Sequence, residues 1–323
     1  MSNGYFVVKS KKHLDNLSEG DRIDESDFAT LTPSGTFIQM EYIESEDARQ
    51  VDVKPGLWKI AKEGNSLSLL KTEFIKETIL DRFVNTQEIE DSVESFFSNL
   101  QAYYDYGIDV PKHSILIFGP PGGGKTTTIN KVCRKYLEDG KTAVVVWNTD
   151  KFESYHVKDL VSSLNYLNIE RLILVAEDLG GGEIEGKQIP SDSSLLSLLD
   201  NKEKTFKIPT LIISTTNYPE NFLSNITNRP ERFDDKIEVK FPDADARVEL
   251  LSFFKKDKEE VPTDAVEYLK SNKCKEFTPA HIKQAVIRAA TKKKTLRVAL
   301  ESVVFDIERF NKGFKNRSGV SFV

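Results

Sequence analysis

Four short apolar runs, "SILIFG", "TAVVVWN", "RLILVAED" and "TLIISTTN", lie between residues 114 and 217, with helical stretches between them. Each is short enough for one strand and apolar enough to be covered on both faces. Strands that alternate with helices in this way build a parallel sheet flanked by helices on both sides. The middle of the chain is therefore α/β.

The flanks read differently. Residues 1–77 form a small β-rich N-terminal domain. There "TLTPSGTFIQMEYIE" sets a Pro-Ser-Gly turn between strand-like runs, and "VDVKPGLWKIAKEGNSLSLLKTEF" repeats the device at Lys54-Pro55-Gly56 and Glu63-Gly64-Asn65. Phe37 and Trp58 are the expected core anchors. Residues 78–242 form the α/β domain. It opens on a helix in which Ile89, Val93, Phe96, Phe97, Leu100 and Tyr104 recur at helical spacing, with Asn85 and Glu88 suited to a capping box. Residues 243–312 turn helical, with amphipathic spacing in "PTDAVEYLKS" and "TPAHIKQAVIRAATKKK". Residues 313–323 are expected to be a flexible tail.

Composition narrows the function. Of 323 residues, 30% are charged and 39% hydrophobic, as in soluble globular proteins. A net charge of -6 argues against a protein built wholly around nucleic acid. The apolar runs are too short for a membrane span, so no membrane partner is expected. "MSNGYFVVKSKK" lacks the order of a secretory signal, which makes the expected location cytoplasmic. Cys133 and Cys274 read as reduced, buried thiols. The four histidines have no zinc-ligand spacing.

Three motifs carry chemistry. "GPPGGGKT" follows the strand "SILIF" and precedes the helix "TTTINKVCRKYL", the context that a Gly-x4-Gly-Lys-Thr motif requires. Its glycines let backbone N–H groups form a concave nest for phosphate, and the helix that follows adds its N-terminal dipole. The expected nucleotide contacts are Gly119, Pro120, Pro121, Gly122, Gly123, Gly124, Lys125, Thr126 and Thr127. Lys125 is suited to the β- and γ-phosphates, and the Thr126 hydroxyl to Mg²⁺. The second motif is Glu177-Asp178, two carboxylates at the C-terminal tip of a buried strand, where ligands bind in open α/β sheets. One can hold Mg²⁺ and the other can orient and polarise a water. The third is "TLIISTTNYPENFLSNITNRPERFD". Asn217 ends its strand and can bond a γ-phosphate or water. Arg229 and Arg232 follow one helical turn apart, and arginine suits stabilisation of a transferring phosphoryl group.

These motifs resemble those of the AAA+ ATPases, in particular the AAA family proper, over roughly residues 78–300. The resemblance implies a P-loop NTPase sheet followed by a helical lid, with ATP and Mg²⁺ bound at their junction. It places Asn217 at the sensor position and Arg229 and Arg232 at the arginine-finger positions, where one of them completes a neighbouring subunit's site. By position, Glu177 would hold the metal and Asp178 would act on water. Ala280-His281 stands where other branches carry an arginine, so no lid sensor arginine is expected. Phe152 and Tyr155 lie in the loop that corresponds to the pore loop. Within the family, the Glu-Asp order and "SDSSLLSLLDN" are most similar to the Bcs1-like branch, although the membrane helix of mitochondrial Bcs1 proteins has no counterpart here.

The implied function is ATP-driven remodelling or translocation of a protein by a homo-oligomeric ring. The resemblance favours six subunits, with seven as the runner-up, and substrate or adaptor docking falls to the N-terminal domain. Two other readings stay open. The lysines of "KSNKCK" and "TKKKTLR" suit a loader acting on nucleic acid. The unusual Glu-Asp pair leaves room for a nucleotide-gated assembly protein with low turnover.

Overall fold

The computed structural model describes residues 31–32, 35–40, 55–63, 66–73, 86–148, 169–179, 199, 206–219, 232–255 and 260–317. They fall in two compact units, one holding the sheet and the other residues 119–125 and the C-terminal helices.

Among the described residues the sheet has nine strands. They are β1 (Leu31–Thr32), β2 (Gly35–Met40), β3 (Gly56–Glu63), β4 (Ser66–Thr72), β5 (Lys112–Phe118), β6 (Thr142–Asn148), β7 (Arg171–Glu177), β8 (Thr210–Thr216) and β9 (Asp235–Glu238). Their order is β1-β2-β4-β3-β6-β7-β8-β5-β9. From β3 to β9, six strands run parallel. The four expected strands are β5 to β8. Every residue of β8 is buried, as are all but the end residues of β7, which is why both read as unbroken apolar runs.

Two features were not expected. Strand β9, "DKIE", is four residues long and has only Ile237 buried, so it carries little apolar signal. Strands β1 to β4 belong to the same sheet as β5 to β9. Strand β3 pairs in parallel with β6, from Gly56 opposite Ala143 to Lys59 opposite Val146. Trp58 is buried there as anticipated, at 2% exposure. Phe37 lies on β2 opposite Leu70, and its side chain is outside the described residues, as is the Asn85 cap.

Helix α1 (Thr86–Ser98) buries Ile89, Val93 and Phe96, as its spacing predicts. The helical path breaks at Asn99, whose φ is -112° and ψ 25°, before α2 (Leu100–Asp105). The break shifts the phase. Tyr104, expected inside, is exposed, while Tyr103 sets its edge on Phe96 with ring centroids 5.6 Å apart. Helix α3 (Lys125–Leu137) buries Ile129, Val132 and Cys133. Burial pushes the Cys133 thiol up to about 12, so it stays protonated.

The second unit packs α4 (Ala244–Lys255), α5 (Thr263–Lys270), a 3-10 turn (Asn272–Cys274), α6 (Pro279–Lys292) and α7 (Leu296–Arg317). Their core includes Leu251, Leu269, Phe277, Ile282 and Leu300. Asp243 caps α4 by accepting from the Asp245 and Ala246 N–H groups at 3.0 and 2.8 Å. Arg247 is buried, yet its guanidinium is well used. Nε donates to the Leu269 carbonyl at 2.8 Å and Nη1 to the Pro242 carbonyl at 2.9 Å. It thus satisfies a carbonyl at the end of α5 that the helix itself leaves open. Helix α7 runs on to Arg317, beyond the boundary at 312 expected from sequence.

Candidate nucleotide-binding site

Residues 119–124 link the end of β5 to the start of α3. Their turn is closed by the Gly123 N–H donating to the Pro120 carbonyl at 3.1 Å. Two glycines are required by geometry. A Cβ on Gly119 would lie 2.1 Å from the Val239 carbonyl oxygen. Gly122 has φ +72°, and a Cβ there would lie 2.7 Å from Cβ of Ala280. Lys125 opens α3 with its ammonium folded back over the loop. It donates to the Gly119 carbonyl at 2.8 Å and the Pro120 carbonyl at 3.0 Å. These are weaker partners than a polyphosphate, so the charge is preplaced at the loop for an anion to claim. The Thr126 hydroxyl belongs to an exposed residue.

The start of α6 meets the same loop. The Ala280 N–H donates to the Gly122 carbonyl at 3.3 Å. Thr278 caps α6 in a reciprocal box, in which its backbone N–H donates to Nδ1 of His281 at 3.2 Å. This acceptor role requires a neutral ring with its proton on Nε2. Burial agrees, holding His281 below the ordinary histidine pKa. Sequence reasoning gave Thr278 and His281 no role. The available signal was threonine before proline with a side-chain acceptor three residues on.

The carboxylate pair sits at the tip of β7, which is in register with β6 so that Glu177 stands opposite Asn148. Glu177 is half-buried and Asp178 exposed. Asp178 adopts a left-handed backbone with φ 54°. That conformation is held from β8. The Asp178 N–H donates to Oγ1 of Thr215 at 3.0 Å, the Leu179 N–H to the Thr215 carbonyl at 2.8 Å, and the Thr216 hydroxyl to the Leu179 carbonyl at 2.7 Å. Aspartate tolerates this region better than most residues, and such backbones cluster at functional sites. Asn217 then donates from Nδ2 to Oδ1 of Asp178 at 3.1 Å. The Asn217 amide and the Asp178 carboxylate therefore form one hydrogen-bonded unit. The Thr126 hydroxyl and the Glu177 and Asp178 carboxylates are oxygen donors at least partly open to solvent, which fits a hard cation such as Mg²⁺.

Arg232 is buried, with only 7% of it exposed in this chain. Arg229, Phe152 and Tyr155 lie outside the described residues. Cys133 and Cys274 are free and buried, as expected.

Comparison with known proteins agrees with this geometry. Residues 115–241 match the family described as "ATPase family associated with various cellular activities (AAA)". The chain is 26% identical over 235 residues to the ATPase family gene 2 protein of Saccharomyces cerevisiae, covering 61% of this chain and 28% of that protein. It is 29% identical over 240 residues to the ATP-dependent zinc metalloprotease FtsH 1 of Petrotoga mobilis, covering 69% and 35%. It is 27% identical over 181 residues to the proteasome-activating nucleotidase of Pyrococcus furiosus, covering 51% and 43%. The chain thus spans less than half the length of each of these relatives. Residues 115–241 are thus similar to the ATPase domain of the AAA family.

Proposed function

We propose that this chain is the ATP-hydrolysing subunit of a ring that remodels or translocates protein. The observation that carries the reading is the loop at 119–125, shaped for phosphate and already holding the Lys125 ammonium. The loop N–H groups and Lys125 bind the β- and γ-phosphates. Thr126 and Glu177 hold Mg²⁺, which neutralises phosphate charge when bound. Asp178 orients the attacking water and takes its proton, and Asn217 fixes the carboxylate for that task.

A neighbouring copy supplies the arginine. Arg232 is buried within its own subunit, so Arg229 is assigned as the residue that reaches across. A head-to-tail contact of this kind closes into a ring. Six copies are the preferred count, with seven the alternative. Two relatives are named an ATP-dependent zinc metalloprotease and a proteasome-activating nucleotidase. A polypeptide is therefore the preferred substrate. The Glu177-Asp178 order supports a narrower kinship with the Bcs1-like branch. No helix among the described residues is long and apolar enough to cross a membrane, and a cytoplasmic site of action is part of the proposal.

The test is Mg²⁺-dependent ATP turnover by the full chain, with light scattering for assembly and a fluorescent unfolding substrate for the work done. Turnover without assembly would overturn the ring. Assembly and turnover without any effect on protein substrates, joined to stimulation by DNA, would move the reading to the nucleic-acid loader.

A further inference from the structure

A second polar cluster lies at the other end of the sheet, where β5 and β9 begin. Ser114 is fully buried. Its N–H donates to Oδ2 of Asp234 at 2.7 Å. Its single hydroxyl proton is shared between that same oxygen and the Arg232 carbonyl, both at 2.8 Å. The Asp234 N–H returns a bond to the Ser114 carbonyl at 2.9 Å. One residue earlier on β5, Nε2 of His113 lies 3.0 Å from Oδ2 of Asp235, which also accepts from the Ser92 hydroxyl of α1. Nδ1 of His113 is 3.7 Å from Asp234, and the ring stacks on Phe96 of α1 with centroids 5.4 Å apart.

This is far more polar bonding than a four-residue edge strand needs, and all of it converges on residues 232–235. The placement matters. Ser114 lies four residues before Phe118, the last residue ahead of the P-loop, so the bonded backbone of Arg232 is about 13 Å along β5 from that end. The cluster thus fixes the backbone of Arg232 to a rigid strand.

Resting on the reading above that an arginine of this segment acts in a neighbouring copy, we propose that Ser114 and Asp234, supported by His113 and Asp235, are positioning residues for the neighbour's ATP turnover. They fix the backbone of Arg232, three residues after Arg229 in sequence. A guanidinium misplaced by an ångström stabilises the transferring phosphoryl group poorly, so the lock sets the rate without touching nucleotide.

The experiment uses the full chain carrying Asp234→Ala or Ser114→Ala, with Arg229→Ala as the reference. Melting temperature, affinity for a slowly hydrolysed ATP analogue, kcat, and kcat in mixtures with Lys125→Ala subunits are measured. The expected result is unchanged analogue affinity and a fall in kcat of roughly ten- to a hundredfold. Mixing with Lys125→Ala subunits, which supply an intact arginine segment, recovers part of it. Ser114→Thr and Asp234→Asn, which keep the hydroxyl and the accepting oxygen, retain more turnover than the alanine variants. If Asp234→Ala does not fold, Ser114→Ala, which loses a single hydroxyl, is read the same way. Wild-type kcat, or a loss that mixing fails to recover although Arg229→Ala recovers, overturns the positioning role. Failure of Arg229→Ala itself to recover overturns the trans reading, and this proposal falls with it.

Discussion

Asn217 and Asp178 directly follow neighbouring strands and share one hydrogen bond, from the amide Nδ2 to the carboxylate Oδ1 at 3.1 Å. A bond to a charged group is worth about 1.5–3 kcal/mol, so neither residue is independent of the other. Asp178→Asn is expected to retain ATP-analogue binding and to lose about 10²–10⁴-fold in kcat, the range for a general base. Asn217→Ala loses about 10- to 100-fold. The double variant costs less than the product of the two, because both remove the same unit. Steady-state turnover of the three variants checks this, and strict additivity would separate the residues. Glu177→Gln raises the Mg²⁺ concentration needed for half-maximal rate.

Lys125→Ala removes the charge that the Gly119 and Pro120 carbonyls hold over the loop. Two charge-assisted contacts to phosphate are lost, at about 1.5–3 kcal/mol each, so analogue affinity falls at least about 100-fold. Isothermal titration measures it. Wild-type affinity would remove the loop from the nucleotide site.

Gly122→Ala places a methyl group 2.7 Å from Cβ of Ala280 at φ +72°. The backbone strain alone costs about 1–2 kcal/mol, and the clash adds to it. Melting temperature and analogue affinity both fall. Ala280→Gly in the same chain relieves the clash and leaves the strain, so recovery is partial. Full recovery would mean that the left-handed backbone costs nothing.

The strands around the site were legible for a simple reason. Strand β8 is buried along its whole length, and its sequence is accordingly apolar apart from Thr and Ser. Strand β9 was not legible, because an edge strand with one buried residue has no pattern to show. Helical spacing placed Ile89, Val93 and Phe96 correctly and failed at Tyr104, since a break at Asn99 changes phase without any glycine or proline to announce it. The carboxylates were found from their place at a strand tip. The left-handed turn at Asp178 was not, because it is imposed by Thr215 and Thr216 from the next strand. The burial of Arg232 escaped for a similar reason, as its backbone is held by Ser114, 118 residues away in sequence.

His281 gives α6 a pH dependence whose sign is fixed. Its folded-state pKa lies below the ordinary 6.5 because of burial. As pH falls below 6.5, the unfolded chain takes up a proton that the folded chain resists, so stability is fully present above that value. It is lost progressively until the folded-state pKa is reached. Protonation there also removes the acceptor for the Thr278 N–H. His281→Gln keeps an acceptor at this helix position without titrating. Denaturant melts between about pH 5 and 8 should show a shallower acid loss for this variant than for the wild type. Identical slopes would exclude His281 as the source.

The pairing of β3 with β6 bears on how the chain can be trimmed. A cut after residue 77, where composition shifts, would look like a clean excision of a neighbouring module. It would instead strip β6 of the strand that bonds Ala143 to Val146. Val144 and Val145 are fully buried, so the new rim would be apolar and lined with unmet N–H and C=O groups. The shortened protein would then recruit strands from other chains. Precipitation of such a fragment would report a torn sheet and say nothing about the ability of residues 78–323 to bind ATP.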